Sequence, residues 1–288
     1  DAYVDVTDNL TFLDNNEFLW TSEKDGWNHI YHYDKTGKLK NQVTKGNWEV
    51  TSYYGYDAKN KRVFYQSTEN GSINRGVYSV KIDGKSKKEL SVKEGTNSAD
   101  FSTDFTYYIN SFSDASTPYV FTLHSAKDGK LIRKIKDNQE LKDQFSNYVI
   151  SEKEFFTLPV NGEELNAYMI KPKNFDASKK YPVFMTQYSG PGSQSVANSW
   201  DGGNGYWFQM LAQEGYIIVC VDPRGTGLKG RDFKKMTQKE LGKYEVEDQI
   251  AAAQALGARD YVDADRIGIW GWSYGGFMAS NCIFQGAD

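Results

Sequence analysis

Over residues 1–136, apolar and polar positions alternate in short runs with a period of two, the pattern of half-buried strands. Glu17-Phe18-Leu19-Trp20-Thr21-Ser22, Arg62-Val63-Phe64-Tyr65-Gln66-Ser67 and Thr106-Tyr107-Tyr108-Ile109-Asn110-Ser111 are aromatic and aliphatic runs that turn polar at their ends. A second run follows each: His29 to Tyr33, Gly76 to Val80 and Tyr119 to Leu123. Asp/Gly turns come next, at Asp34-Lys35-Thr36-Gly37-Lys38, Asp83-Gly84-Lys85 and Asp128-Gly129-Lys130, the chemistry of tight hairpins. Third runs close each unit at Leu39 to Val43, Lys88 to Leu90 and Leu131 to Ile135, giving a repeat of about 45 residues. Four short antiparallel strands per ~40–50 residues predict propeller blades, and the missing helical period excludes leucine-rich and helical solenoid repeats. Three repeats are fewer than the roughly four to eight that close a propeller, so further blades are expected before Asp1.

The pattern then changes. Asp137 to Phe145 is polar and reads as a connector or short helix. Phe155 to Ile170 reads as a hairpin turning at Asn161-Gly162, the strongest two-residue hairpin signal. Beyond it, strands and helices alternate. Tyr181 to Tyr188 is a strand, Tyr206 to Gln213 a helix stopped by Gly215, and Tyr216 to Val221 a fully apolar strand. Gln238 to Leu256 is a long helix with Val246, Ile250 and Ala253 on one face; Arg266 to Trp270 is a strand; Gly276 to Phe284 is a buried helix. Apolar strands separated by amphipathic helices predict a mostly parallel sheet covered on both faces. The expected organisation is incomplete all-β propeller blades over residues 1–145, then the first part of an α/β-hydrolase domain over residues 146–288.

Charge and composition narrow this picture by exclusion. A net charge of −4, with both signs mixed along the chain, gives no support to nucleic-acid or anionic-membrane binding. No apolar run approaches the ~20 residues of a membrane span, and no signal peptide is visible. Cys220 ends an apolar run and Cys282 lies in the last helix, so both read as small core hydrophobes. The 20 Tyr and 7 Trp residues suit blade cores better than a ligand face. His29, His32 and His124 all fall on blade strands. His29 and His32 are three apart and face opposite sides of one strand, which is poor metal geometry. The lysines around 35–40 and 85–88 read as solvated turns.

The chemistry is carried by Gly271-Trp272-Ser273-Tyr274-Gly275, which fits G-x-S-x-G between a strand and a helix. Such a serine stands at the tip of a sharp turn, and the flanking glycines let the backbone make it. Ser273 is the candidate nucleophile. The N–H of Tyr274 is the candidate oxyanion donor that follows it. A second donor should come from the loop after the strand ending at Tyr188, which lacks the His-Gly-Gly-Gly of lipases; the Tyr188 hydroxyl could supply it, or Tyr188 could simply end the strand. A serine nucleophile also needs a base and an orienting acid, ordered Ser, acid, His in α/β-hydrolases. After Ser273 there is no histidine, and the only acid is Asp288. The base and acid are therefore expected outside this chain, and the 288 residues alone are expected to be inactive. Asp222-Pro223-Arg224-Gly225-Thr226-Gly227 is a glycine-rich turn that lacks the residues of a phosphate loop. Arg224 is expected to pair with the Glu245/Glu247/Asp248 group rather than with substrate, and that group is a weak metal signal. No motif calls for a cofactor or a metal.

Blades running directly into a hydrolase elbow resemble the prolyl oligopeptidase family of serine peptidases, with a close match to its dipeptidyl peptidase IV branch. Gly271 to Gly276 is similar to the nucleophile motif, Tyr244 to Ile250 to the run before it, Tyr188-Ser189-Gly190-Pro191 to the oxyanion loop, and Asp222 to Gly227 to the Asp-x-Arg-Gly-x-Gly turn. Gly26 to Tyr31 and Thr44 to Val50 are similar in the blades. The resemblance implies Ser273 as nucleophile and Tyr274 N–H with Tyr188 hydroxyl as oxyanion hole. It implies release of N-terminal dipeptides after Pro or Ala, peptide substrates, a homodimer for the full-length protein and an extracytoplasmic site. The paired glutamates that grip the substrate amine in that branch have no matching motif here. Acylaminoacyl peptidase, tripeptidyl peptidase or esterase activity is the alternative within the family, and a non-catalytic propeller interaction module the alternative outside it.

Overall fold

The computed structural model describes residues 2–286. Three four-stranded antiparallel sheets come first, each with its strands in chain order. The first comprises β1 (Thr11–Phe12), β2 (Phe18–Ser22), β3 (His29–Tyr33) and β4 (Leu39–Gln42). The second comprises β5 (Val50–Asp57), β6 (Arg62–Ser67), β7 (Gly76–Lys81) and β8 (Lys88–Glu89). The third comprises β9 (Thr96–Phe101), β10 (Tyr107–Ser113), β11 (Val120–Ser125) and β12 (Leu131–Lys136). The middle strands match the sequence reading. The opening strand of each sheet, β1, β5 and β9, escaped it because its burial is mixed. In β5 the pairing shifts register twice, with Gly55 at φ +134°.

The sheets stack face to face, as blades do. Leu19, Ile30 and Val43 of the first pack with Val63, Tyr65, Tyr78 and Val80 of the second. Phe64 and Val77 of the second pack with Tyr108 and Ala126 of the third. Aromatic residues thus form much of the packing between sheets, with Tyr65 and Tyr108 almost wholly buried.

After helix α1 (Gln139–Phe145) comes a hairpin of β13 (Lys153–Val160) and β14 (Glu163–Ile170). Asn161 and Gly162 at its tip both have positive φ, +51° and +85°, the requirement of a type I′ turn. The remaining elements are β15 (Tyr181–Thr186), α2 (Gly203–Gln213), β16 (Ile217–Val221), α3 (Arg231–Lys235), α4 (Tyr244–Gly257), β17 (Val262–Trp270) and α5 (Tyr274–Gln285). Their strands form one sheet of order β13-β14-β16-β15-β17. β15 pairs parallel with β16 and β17, while the hairpin joins antiparallel through β14.

Period-two alternation decides which layer each side chain enters. Ile217, Val219 and Val221 of β16 meet Ala252 and Leu256 of α4 and Phe233 of α3. Ile218 and Cys220 meet Phe208 and Ala212 of α2 on the other face. Cys282 packs with Val246 and Met278 between α4 and α5, and both cysteines are free and buried.

Two readings need correction. The helix expected from Gln238 begins at Tyr244, because Lys239 and Gly242 hold positive φ of +64° and +82° and break helical geometry. The helix after the elbow is buried on one side only: Met278 is 0 % exposed, whereas Phe277, Ile283 and Phe284 are 46 %, 55 % and 83 % exposed. Among the described residues, no helix is long and apolar enough to cross a membrane.

The blades meet the second half through polar contacts. Buried Glu49 accepts from Gly230 N–H at 2.9 Å, Lys235 pairs with Glu23 at 2.6 Å, and Asn166 donates to the Ser72 hydroxyl at 2.9 Å. Burial raises the Glu49 carboxyl above its ordinary pKa.

Candidate active site

β17 and β15 run parallel in register, with Met185 opposite Ile269 and Thr186 opposite Trp270. Their carboxyl ends therefore lie side by side, and Gln187 N–H continues the ladder to the Trp270 carbonyl at 3.2 Å. The chain leaving β17 reverses into α5 through Ser273, whose backbone sits at φ +56°, ψ −117°. A non-glycine residue held there stores about 1–3 kcal/mol of strain, a cost met at ligand clamps and active sites. Gly276 N–H to Ser273 O at 2.9 Å and Phe277 N–H to Ser273 O at 3.1 Å tie the turn into the helix. Ser273 is exposed.

The glycines have separate steric reasons. A Cβ on Gly271 would collide with the Gly275 carbonyl, so the two arms of the turn could not close. A Cβ on Gly275 would stand 2.5 Å from the Gln187 carbonyl oxygen and 3.2 Å from the Tyr188 Cα. The elbow is thus packed directly against the backbone that presents Tyr188.

Tyr188 is 41 % exposed, and its ring lies 6.2 Å from that of Tyr274. Tyr274 is the first residue of α5, so its N–H has no intrahelical acceptor and is free to bind an anion. Its hydroxyl donates to Glu245 at 2.7 Å, and Glu245 also accepts from Gly242 N–H at 3.0 Å. Burial lifts the pKa of Glu245, against these hydrogen bonds; burial and then Glu245 raise that of the Tyr274 phenol.

The Asp222–Gly227 turn supports the same loop from behind. Gly192 N–H donates to Gly225 O and Gly227 N–H to Ser193 O, both at 2.8 Å. A Cβ on Gly227 would lie 2.6 Å from the Gly192 carbonyl oxygen, which explains the glycine. Asp222 accepts from Ser195 N–H at 3.0 Å and Val196 N–H at 2.9 Å, and burial pushes its carboxyl up to about 6. Arg224 does form an ion pair. Its Nη2 reaches Asp248 at 2.7 Å and Glu247 at 3.2 Å, and its Nε lies 2.9 Å from Asp248. Glu245 faces Tyr274 instead, away from Arg224.

The histidines are engaged inside the blades. His29 bonds Thr44 and Gly46, His32 bonds Glu17, and His124 bonds Gly129 and Thr122. None is bonded to Ser273. Asp288 lies outside the described residues. A groove of about 970 Å³ lies elsewhere, lined by Phe145, Tyr148, Trp200 and Tyr206 among others, and neither Ser273 nor Tyr188 lines it.

Residues 1–119 match the family model described as the dipeptidyl peptidase IV N-terminal region, and residues 204–288 match that of the prolyl oligopeptidase family. Both parts of the chain are thus similar to the prolyl oligopeptidase family. The chain is 37 % identical over 270 residues to a probable dipeptidyl peptidase 4 of Aspergillus flavus, covering 92 % of this chain and 35 % of that protein. It is 36 % identical over 295 residues to dipeptidyl peptidase 4 of Trichophyton rubrum, covering 98 % and 38 %. The crystal structure of Porphyromonas gingivalis dipeptidyl peptidase 4 superimposes with a TM-score of 0.92 at 45 % identity, over 96 % of this chain and 39 % of that one. A putative dipeptidyl aminopeptidase IV from Bacteroides ovatus gives 0.84 at 29 % identity, over 95 % and 42 %. The chain thus spans between a third and two fifths of the length of these curated relatives.

Sequence reading missed Gln187, Ser189 and Gln249, which join the elbow to the sheet. One signal was available: Gln249 is a polar residue beside the apolar stripe of Val246, Ile250 and Ala253 on α4.

Proposed function

We propose that this chain is part of a serine exopeptidase that releases dipeptides from peptide N-termini, after proline or alanine, through an acyl-enzyme on Ser273. The observation that carries the reading is the strained Ser273 backbone after the carboxyl end of β17, beside Tyr188 just beyond the end of β15. Ser273 Oγ attacks the scissile carbonyl carbon, and the carbonyl oxygen becomes an oxyanion. The Tyr274 N–H and the Tyr188 hydroxyl donate to it, as preorganised donors that gain strength where charge develops. The amine leaves with a proton, and water hydrolyses the ester. The base that takes the Ser273 proton must come from outside these 288 residues, since the three histidines are bound within blades. The chain alone should therefore turn over no substrate. We assign blades to residues 1–145 and catalytic residues to 146–288.

The test is Ser273→Ala in the full-length protein, assayed with Gly-Pro-p-nitroanilide. A loss of at least ~10³-fold in kcat is expected. Retained turnover would remove Ser273 from the role.

A further inference from the structure

We propose that Gln187 is a positioning residue that sets the spacing between the two oxyanion donors; this rests on the reading of Ser273, Tyr188 and Tyr274 above. The donors sit on separate elements, Tyr188 after β15 and Tyr274 at the start of α5. Both must lie about 2.7–3.1 Å from one oxygen, so their separation has to be held by something stiff. Tyr188 itself is 41 % exposed.

Gln187 supplies the brace. Its buried side chain donates from Nε2 to the Gly275 carbonyl at 2.8 Å, in the first turn of α5. Its Oε1 accepts from the Ser189 hydroxyl at 2.8 Å. The Ser189 hydroxyl oxygen accepts in turn from Gln249 Nε2 at 3.1 Å, and the same Nε2 lies 2.9 Å from the Val221 carbonyl. Ser189 and Gln249 are 0 % and 1 % exposed. The side chains on either side of Tyr188 are thus bonded to each other, with the backbone bent at Ser189 to φ +60°. One end of this chain of amides grips the elbow; the other grips α4 and the end of β16. Water cannot substitute for a lost member at such burial, so the Gln187 amide is confined to one orientation.

The experiment uses the full-length protein and Gly-Pro-p-nitroanilide. Gln187→Met keeps the length and removes both hydrogen bonds. The expected result is a ~10–100-fold fall in kcat with KM changed less than ~3-fold, because the donors are misplaced only where the oxyanion forms. A double-mutant cycle separates this from a general structural effect. If Gln187 acts through Tyr188, adding Gln187→Met to Tyr188→Phe should lower kcat by less than ~3-fold further. Losses that multiply in full, or unchanged kcat in Gln187→Met, overturn the inference while leaving the oxyanion reading standing. Unchanged kcat in Tyr188→Phe overturns that reading and this inference with it. Should Gln187→Met fail to fold, Ser189→Ala carries the test: a ~3–10-fold fall in kcat at constant KM is expected, and unchanged kcat overturns the inference.

Discussion

Replacing Gly275 by alanine separates the elbow from Tyr188 by a distance that can be worked out. The new Cβ would lie 2.5 Å from the Gln187 carbonyl oxygen, against 3.4 Å for the onset of ordinary contact, a shortfall of 0.9 Å. The obstructing atoms are backbone, including the Tyr188 Cα at 3.2 Å, so no rotamer change relieves them. β15 is fixed between β16 and β17, leaving the first turn of α5 as the part that shifts. Overpacking of this kind costs about 1–3 kcal/mol. Gly275 is helical, so alanine returns up to about 1 kcal/mol in propensity. The net loss of stability is therefore about 0–3 kcal/mol. Activity should suffer more, since a misplacement near 1 Å costs about 10²-fold in rate. In the full-length protein, Gly275→Ala should lower kcat on Gly-Pro-p-nitroanilide about 100-fold and slow fluorophosphonate labelling of Ser273 alongside it. Gly276→Ala is the control, because its Cβ would stand 3.4 Å from the Gly271 carbonyl oxygen, at the edge of ordinary contact. Equal kcat in the two variants would refute the steric argument.

Asp222→Asn tests the buried carboxyl. Its pKa is about 6 in the fold against 3.8 when unperturbed, so the folded state keeps a proton that the unfolded chain releases. Stability contributed by Asp222 therefore falls as pH rises from about 4 to 6, by about 3 kcal/mol for two units, and the deficit persists above 6. Asparagine keeps an acceptor for Ser195 and Val196 without the charge, so the variant should gain on wild type across that window in urea titrations; a difference independent of pH would contradict this. Asp248→Ala removes a fully buried carboxylate, leaving half-buried Arg224 with only Glu247 and depriving the Arg224 N–H and the Asn161 amide of their acceptor. A loss of about 3–5 kcal/mol is expected by the same titration, and a change under about 0.5 kcal/mol would count against it.

Much of this protein could be read from local pattern. Aromatic and aliphatic runs mark the blades at β2, β3, β6, β7, β10 and β11, because these strands pack into the cores between sheets, with β3, β6 and β7 buried along nearly their whole length. Asn161-Gly162 marks its hairpin, because few other pairs accept two positive φ values in a row. The G-x-S-x-G spacing marks the elbow, because only glycine can stand where the turn closes on itself. The start of α4 was less legible: propensity alone runs the helix back to Gln238, whereas contacts favour the left-handed turns at Lys239 and Gly242.

The sequence by itself determined the three repeats, the change from blades to alternating strands and helices, and the serine at the elbow, since these follow from period and from single-residue backbone preference. Only the tertiary structure decided the neighbours. It chose Asp248 over Glu245 as the main partner of Arg224, turned Glu245 toward Tyr274, and brought Gln187, Ser189 and Gln249 together behind Tyr188. The Arg224–Asp248, Tyr274–Glu245, Gln249–Ser189 and Gln187–Gly275 pairings join residues 24 to 88 positions apart, and their partners are settled by strand register and helix docking, which no local pattern encodes.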